Sequence, residues 1–293
     1  MTLAMARDEW TIKGILSWTA NYFTERGISS PRFSSEILLA SCLGCERIYL
    51  YTHFDEPVKE EARAKMREFV KRRIGGEPLQ HIVGFAYFWS HKIAVDRRVM
   101  IPRPETEHLI EVIVGEYNGS RDEAFSMLEI GVGSGCAAIA LASEFKRASI
   151  TGVDISDGAL AVARANIASA GFEGRIKTVK SDLFSAIGDD DKFDVIYSNP
   201  PYIPTGEIER LSVEVREYDP REALDGGDDG LNIILRLVSG SSSYLKPNGL
   251  LALEIGDGQA EAVRKILVET GFGNIKIKPD LRGIPRIAYG YLI

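Results

Sequence analysis

Cysteine, histidine and long apolar runs are all scarce in this 293-residue chain, and each scarcity removes a class of function. Three cysteines, Cys42, Cys45 and Cys136, are too few and too odd in number for a disulfide framework. Cys42-x-x-Cys45 lacks the second cysteine or histidine pair that a zinc site needs, so the cysteines read as reduced structural thiols, with a redox pair as the alternative. The four histidines, His53, His81, His91 and His108, are scattered rather than clustered, and no metal is implied. No apolar run reaches the roughly 18 residues of a membrane span, and Met1 to Trp10 lacks the basic-then-apolar pattern of a signal peptide. A cytoplasmic protein is therefore expected. Positive charge is also in deficit: 35 Lys and Arg stand against 42 Asp and Glu, a net charge of −7. Residues 1–75 hold 12 basic and 10 acidic side chains, which leaves 23 against 32, net −9, for residues 76–293. Nucleic-acid binders draw affinity from phosphate neutralisation, and the acidic larger part of the chain argues against one.

What is present divides into regions of different texture. Trp10, Ile15, Trp18, Tyr22 and Phe23 recur at helical spacing up to Gly27, a fitting residue just past a helix end. A second helix is expected from Ser30-Pro31 towards Gly44 and a third from near Pro57 to Gly75-Gly76, so that residues 1–76 form a small helical bundle. Lys71-Arg72-Arg73 complements the dipole of that third helix, or touches a partner. Residues 77–102 are rich in β-branched and aromatic side chains, including Ile82, Val83, Phe85, Tyr87, Phe88, Trp89, Ile93 and Val95, and read as a hairpin linker. Pro102 and Pro104 exclude helix until about Glu105.

From Ser126 onward strands and helices alternate, the pattern of an open α/β sheet in residues 103–293. Met127 to Ile130 leads into Gly131-Val132-Gly133-Ser134-Gly135, where glycines let backbone approach a ligand, and Cys136 to Phe145 reads as the helix that follows. Gly133 to Ala138 also fits a dinucleotide fingerprint ending in Ala, so a nicotinamide or flavin cofactor enters the comparison. The next strand ends at Asp154, placed to accept from ribose hydroxyls in either case. A third strand, Ile176 to Lys180, ends at Ser181-Asp182-Leu183-Phe184, where Asp182 can accept from an exocyclic amine while Leu183 or Phe184 packs on a purine ring. The alternative is a capping Asp before a loop. A fourth, Phe193 to Tyr197, ends at Ser198-Asn199-Pro200-Pro201-Tyr202. The Asn199 side-chain oxygen and Pro200 carbonyl are two acceptors that can converge on the N–H bonds of a planar amino or amide group. The prolines fix the carbonyl direction beforehand, and Tyr202 offers a face for stacking. A strand-terminating turn is the bland reading of the same residues. The occurrence of all four features in order, at the ends of four successive strands, is more specific than any one.

With these residues the chain resembles the HemK/PrmC family, the N5-glutamine methyltransferases of class 1 peptide chain release factors. Gly75 to Gln80, Arg103-Pro104-Glu105-Thr106-Glu107, Ala223-Leu224-Asp225-Gly226-Gly227, Asp229-Gly230-Leu231 and Leu253-Glu254-Ile255-Gly256 extend the resemblance over nearly the whole length. Two stretches depart from the family pattern: Asp219-Pro220, where the family has Glu-Pro, and Gly283 to Arg286, which lacks an acid. The resemblance implies a Rossmann-like, seven-stranded class I methyltransferase domain with its last strand antiparallel, preceded by a helical substrate-recognition domain. It implies S-adenosyl-L-methionine as methyl donor, held by Gly131, Val132, Gly133, Ser134 and Gly135 at the methionine end, Asp154 at the ribose, and Asp182 and Phe184 at the adenine, with Asn199 close to the methyl group. It implies that Asn199, Pro200, Pro201 and Tyr202 hold the substrate glutamine, with Asn199, Pro200 and Tyr202 as catalytic residues, and that the partner is a release factor rather than nucleic acid or membrane. Amino methyltransferases of adenine N6 or guanine N2, a nicotinamide oxidoreductase and a catalytically silent binding scaffold are the rival readings.

Overall fold

The computed structural model of the protein describes residues 10–293. Met1 to Glu9, most of the Met1 to Trp10 stretch expected to lack a signal peptide, lie outside the described residues. The chain divides into two compact units between Gly84 and Phe85.

The first unit is helical. Helix α1 (Ile12–Glu25) is started by Thr11, whose side-chain oxygen accepts from the Gly14 N–H at 3.2 Å, and its Ile12, Ile15, Leu16, Thr19 and Phe23 share one buried face. Helix α2 (Pro31–Leu43) opens on proline, and α3 (Arg47–Thr52) is a short turn of helix with Leu50 buried. Helix α4 (Glu60–Ile74) carries Glu60 and Glu61 in its first turn and Lys71, Arg72 and Arg73 in its last, both favourable to the helix dipole. Arg72 pairs with Glu77 at 2.6 Å and the buried Arg73 donates to the Glu77 carbonyl, so these two basic side chains are engaged within the unit.

Residues 79–83 correct a strand expectation. Leu79–Val83 is helix α5, capped by Gly84 in the left-handed region, because Leu79 and Ile82, three residues apart, are both buried in the helical core. Tertiary burial outweighs the β preference of Ile82 and Val83.

The second unit opens on a hairpin, β1 (Phe85–Phe88) and β2 (His91–Ala94), whose two turn residues, Trp89 and Ser90, both have positive φ as a tight primed turn requires. Neither is a glycine or asparagine. The Trp89 backbone N–H donates to Glu107 at 2.8 Å and its indole N–H to Glu144 at 2.8 Å, which hold the turn in place. Ala86, Phe88 and Ile93 lie in the same core as the helices that follow.

The remaining elements are α6 (Glu107–Glu116), β3 (Ser126–Ile130), α7 (Cys136–Glu144), β4 (Ser149–Asp154), α8 (Asp157–Ala170), β5 (Ile176–Lys180), β6 (Phe193–Ser198), α9 (Val213–Arg216), α10 (Asn232–Ser241), β7 (Leu245–Glu254), α11 (Ala260–Glu269), β8 (Phe272–Pro279) and β9 (Pro285–Leu292). One seven-stranded sheet runs β5-β4-β3-β6-β7-β9-β8. Its first five strands pair in parallel, and β9 is antiparallel to both neighbours. The near-continuous apolar runs of β3 and β6 follow from burial on both faces. The chain leaves β3 for β4 on one side and reaches β6 on the other, which opens a crevice at the carboxyl ends of these strands, the place where such sheets bind ligands.

Candidate functional site

A cavity of about 360 Å³ occupies that crevice, and Gly131, Gly133, Asp154, Asp182, Asn199, Pro200 and Pro201 all line it. Four strand ends, those of β3, β4, β5 and β6, therefore bring these seven of the sequence-predicted residues to one cavity. Its charge is unbalanced: Asp154, Asp182, Glu222 and Asp225 face Arg98 and Arg236. An acidic concavity of this kind favours a cationic ligand.

The glycine turn is built by backbone needs. Gly131 and Gly133 both have positive φ, and the Gly131 and Val132 N–H groups donate to the Val153 carbonyl at 2.8 Å. Val132 is itself buried, seated over Gly152, where an added Cβ would lie 2.7 Å from the valine Cγ2. Ser134 is buried as well, and its carbonyl accepts from Asn166 at 2.9 Å; the same Asn166 exchanges hydrogen bonds with both backbone groups of Ala94. Val132, Ser134 and Gly135 thus shape the turn without lining the cavity.

Asp154 couples the turn to the next strand. One of its carboxylate oxygens accepts from the Gly133 N–H and the other from the Ser156 N–H, both at 2.9 Å. Each oxygen retains a lone pair for a further donor. Burial holds its carboxyl above the usual range, against the pull of those backbone donors.

At the end of β5 the structure exchanges the two apolar residues. Leu183 lines the cavity, whereas Phe184 is buried against Gly240 and stacks on Tyr244 with ring centroids 4.8 Å apart. Leu183 has φ +51°, and this left-handed residue turns the following side chain into the core. Asp182 lines the mouth and pairs with Arg236 at 2.9 Å.

The Asn-Pro-Pro-Tyr turn is fixed from several directions. Ser198 donates to the Ile130 carbonyl at 2.6 Å, and Asn199 Nδ2 donates to the Thr106 hydroxyl at 3.0 Å. Tyr202 does not line the cavity; its hydroxyl donates to Glu254 at 3.2 Å and its carbonyl accepts from Gln259 at 2.9 Å. The Asp225 to Gly230 loop closes on the same turn, with Gly230 so near that a Cβ there would lie 2.2 Å from the Tyr202 carbonyl oxygen. Asp219 is buried, accepts from the Ile101 N–H and pairs with Arg103, which ties the Arg103-Pro104 stretch to Asp219-Pro220. Asn166, Gln259 and the Thr106–Glu254 contact carried no local signal in the sequence.

Glu129, in β3 two residues before the glycine turn, is buried and accepts from the Tyr197 hydroxyl at 3.2 Å. Burial raises its carboxyl to about 8, Asp154 pushes in the same direction, and Tyr197 opposes both. A folded-state value above the unfolded one favours folding only while the group is protonated, so its contribution is lost as pH rises from about 4.5 towards 8. Glu129→Gln, which keeps an acceptor for Tyr197, is therefore expected to narrow the fall in stability between pH 5.5 and 8.5. Denaturant midpoints of the wild type and variant at both pH values measure this, and equal pH slopes would refute the assignment.

Comparison with known proteins adds a second line of observation. Residues 14–84 match the family model described as the PrmC N-terminal domain, and residues 127–218 one described as a methyltransferase domain. The chain is 43% identical over 281 residues to a release factor glutamine methyltransferase of Geobacter sulfurreducens, an alignment that covers 96% of each. It is 42% identical over 282 residues to one of Rhodopirellula baltica, covering 95% of each. Among solved structures, a 16S rRNA methyltransferase of Thermus thermophilus in complex with AdoMet and guanosine shares the fold with a TM-score of 0.54 at 15% identity, over 71% of this chain and 50% of that one.

Proposed function

The chain belongs to the release factor glutamine methyltransferase family, and from that membership we propose that it methylates the side-chain amide nitrogen (N5) of the glutamine in the Gly-Gly-Gln motif of class 1 peptide chain release factors, with S-adenosyl-L-methionine as donor and S-adenosyl-L-homocysteine as product. The observation that carries the reading is the shared wall of one cavity, in which the nitrogen-holding residues Asn199 and Pro200 stand beside Gly131, Asp154 and Leu183.

The residues present fit the donor. Asp154 would accept from the ribose hydroxyls, Gly131 and Gly133 would border the methionine end, and Asp182 and Leu183 would take the adenine. The excess of carboxylates suits a sulfonium cation. S-adenosylmethionine supplies a methyl group made electrophilic by that sulfonium.

The protein's task is to make a poor nucleophile competent, because amide resonance delocalises the nitrogen lone pair. Asn199 Oδ1 and the Pro200 carbonyl accept the two N–H bonds, draw electron density towards nitrogen and direct the lone pair into the cavity. Such orientation supplies up to roughly 7–11 kcal/mol in favourable cases. The nitrogen becomes cationic as its bond to the methyl carbon forms and the sulfur–methyl bond breaks, so the same acceptors bind the transition state more tightly than the ground state, and one N–H proton is then lost to solvent. Tyr202 holds the far end of the turn through Glu254 and Gln259, and Pro201 keeps it rigid.

The helical unit, whose residues 14–84 match the PrmC N-terminal model, is assigned to recognition of the release factor, since a four-residue holder cannot select one glutamine among many. A release factor substrate puts the enzyme in the cytoplasm. The deciding experiment offers methyl-labelled S-adenosylmethionine with release factor, DNA and ribosomal RNA in separate reactions, and repeats the first with a variant lacking residues 1–84. Label is expected in release factor alone and is expected to fall with the truncated variant. Label confined to nucleic acid would replace this reading by a nucleobase amino methyltransferase, and an unimpaired truncated variant would remove the recognition role.

A further inference from the structure

Two side chains outside the Asn-Pro-Pro-Tyr turn determine which way the Asn199 carboxamide faces. Glu254, the last residue of β7, is 1% exposed, and its two oxygens are divided: one accepts from the Thr106 hydroxyl at 2.7 Å, the other from the Tyr202 hydroxyl at 3.2 Å. Thr106, itself 4% exposed, lies in the single 3₁₀ turn Pro104–Thr106 before α6. A hydroxyl has one proton, and Thr106 gives its own to the carboxylate; towards Asn199 only its lone pairs remain, and they accept from Asn199 Nδ2 at 3.0 Å.

The polarity of this chain of bonds has a chemical consequence. A carboxamide has a donor end and an acceptor end of nearly equal shape, so packing alone hardly distinguishes its two orientations. With the donor end committed to Thr106, the oxygen is left for the substrate. The reversed amide would meet the substrate N–H groups with N–H groups of its own, donor against donor. We propose that Thr106 and Glu254 are positioning residues for methyl transfer: the chain from Glu254 through Thr106 to Asn199 holds the Asn199 oxygen towards the nitrogen that is to be methylated. This inference rests on the proposed function.

Glu254 also sets a pH range. Burial raises its carboxyl to about 7, with Glu105 pushing the same way while Thr106, Tyr202 and Arg286 pull it down. The Tyr202 hydroxyl is itself pushed up by burial and stays protonated through neutrality. Below about pH 7 the Glu254 carboxyl carries a proton and becomes a donor, so Thr106 is no longer required to donate to it and the polarity of the chain is lost. Turnover at saturating methyl donor is expected to fall on the acid side with a limb near neutrality.

The test measures release factor methylation and, by calorimetry, S-adenosylmethionine binding to the full chain. Thr106→Val is expected to lower kcat by roughly 30-fold, below the hundredfold that a 1 Å misplacement can cost, while the dissociation constant for S-adenosylmethionine changes by less than about twofold, as expected if the glycine turn and Asp154 are undisturbed. Thr106→Ser, which restores the hydroxyl, is expected to recover most of the lost rate. Glu254→Gln cannot titrate and, like the protonated carboxyl, carries a donor end, so its kcat should be lowered across the pH range and the acid limb should vanish from its profile. A wild-type rate in Thr106→Val, equal impairment in Thr106→Ser, parallel loss of rate and cofactor binding, or an acid limb retained in Glu254→Gln would each overturn the proposal. A wild-type protein that binds S-adenosylmethionine and leaves release factor unlabelled would instead overturn the proposed function.

Discussion

Asn199→Ala is expected to lower the methylation rate by about 10³-fold, at the upper end of what loss of one oriented polar group in an active site costs. Two effects combine at this residue. The substituted side chain no longer accepts a substrate N–H, so the amide nitrogen loses both orientation and the stabilisation of its developing positive charge. The Thr106 hydroxyl, which accepts from Asn199 at 3.0 Å, is left facing an empty position. The turn itself should survive, because Ser198 remains bonded to Ile130 and the Tyr202 carbonyl to Gln259. Binding of S-adenosylmethionine is accordingly expected to change by less than about threefold, since Asp154 and the glycine turn supply their contacts from separate strands. Single-turnover methylation and calorimetry on the same preparation measure both quantities. Near-normal methylation by the alanine variant would reject the nitrogen-holding mechanism.

The contrast between what was legible in the sequence and what was not follows from sequence distance. The glycine turn, Asp154, Asp182 and the Asn-Pro-Pro-Tyr stretch are each compact, and each closes a short apolar strand, so strand order alone was enough to bring them to one edge. Thr106 and Glu254 are 148 residues apart, and Asn199 and Thr106 are 93 apart, so no local pattern reveals that they touch. Of Leu183 and Phe184, either of which could pack on a purine ring, the sequence does not show which lines the cavity, for a different reason. Leu183 adopts a positive φ without being glycine, and that one backbone choice decides which of two adjacent apolar side chains faces the cavity. The Trp89-Ser90 turn is similar: its positive φ values are held by Glu107 and Glu144 from outside the hairpin. Leu79 to Val83 read as strand because propensity is local, whereas the burial that makes it a helix is not.

Asp154→Ala is expected to raise the dissociation constant for S-adenosylmethionine by about 100-fold, or about 2.8 kcal/mol at 1.4 kcal/mol per factor of ten. The carboxylate serves twice. It would accept from the donor's ribose hydroxyls, and it already accepts from the Gly133 and Ser156 N–H groups at 2.9 Å. Alanine removes the ribose acceptor and also releases Gly133, so the glycine turn loses the restraint that shapes it for the ligand. Asp154→Asn separates the two contributions. Its side-chain oxygen can keep one backbone donor, while its amide nitrogen must confront the other N–H or the ribose, so an intermediate loss of roughly tenfold is expected. Burial amplifies the difference, since a misplaced donor in a mostly enclosed position has little water to turn to. Unchanged affinity in both variants by calorimetry would reject the ribose role. An asparagine variant that binds like wild type beside an alanine variant that does not would assign Asp154 to the glycine turn alone.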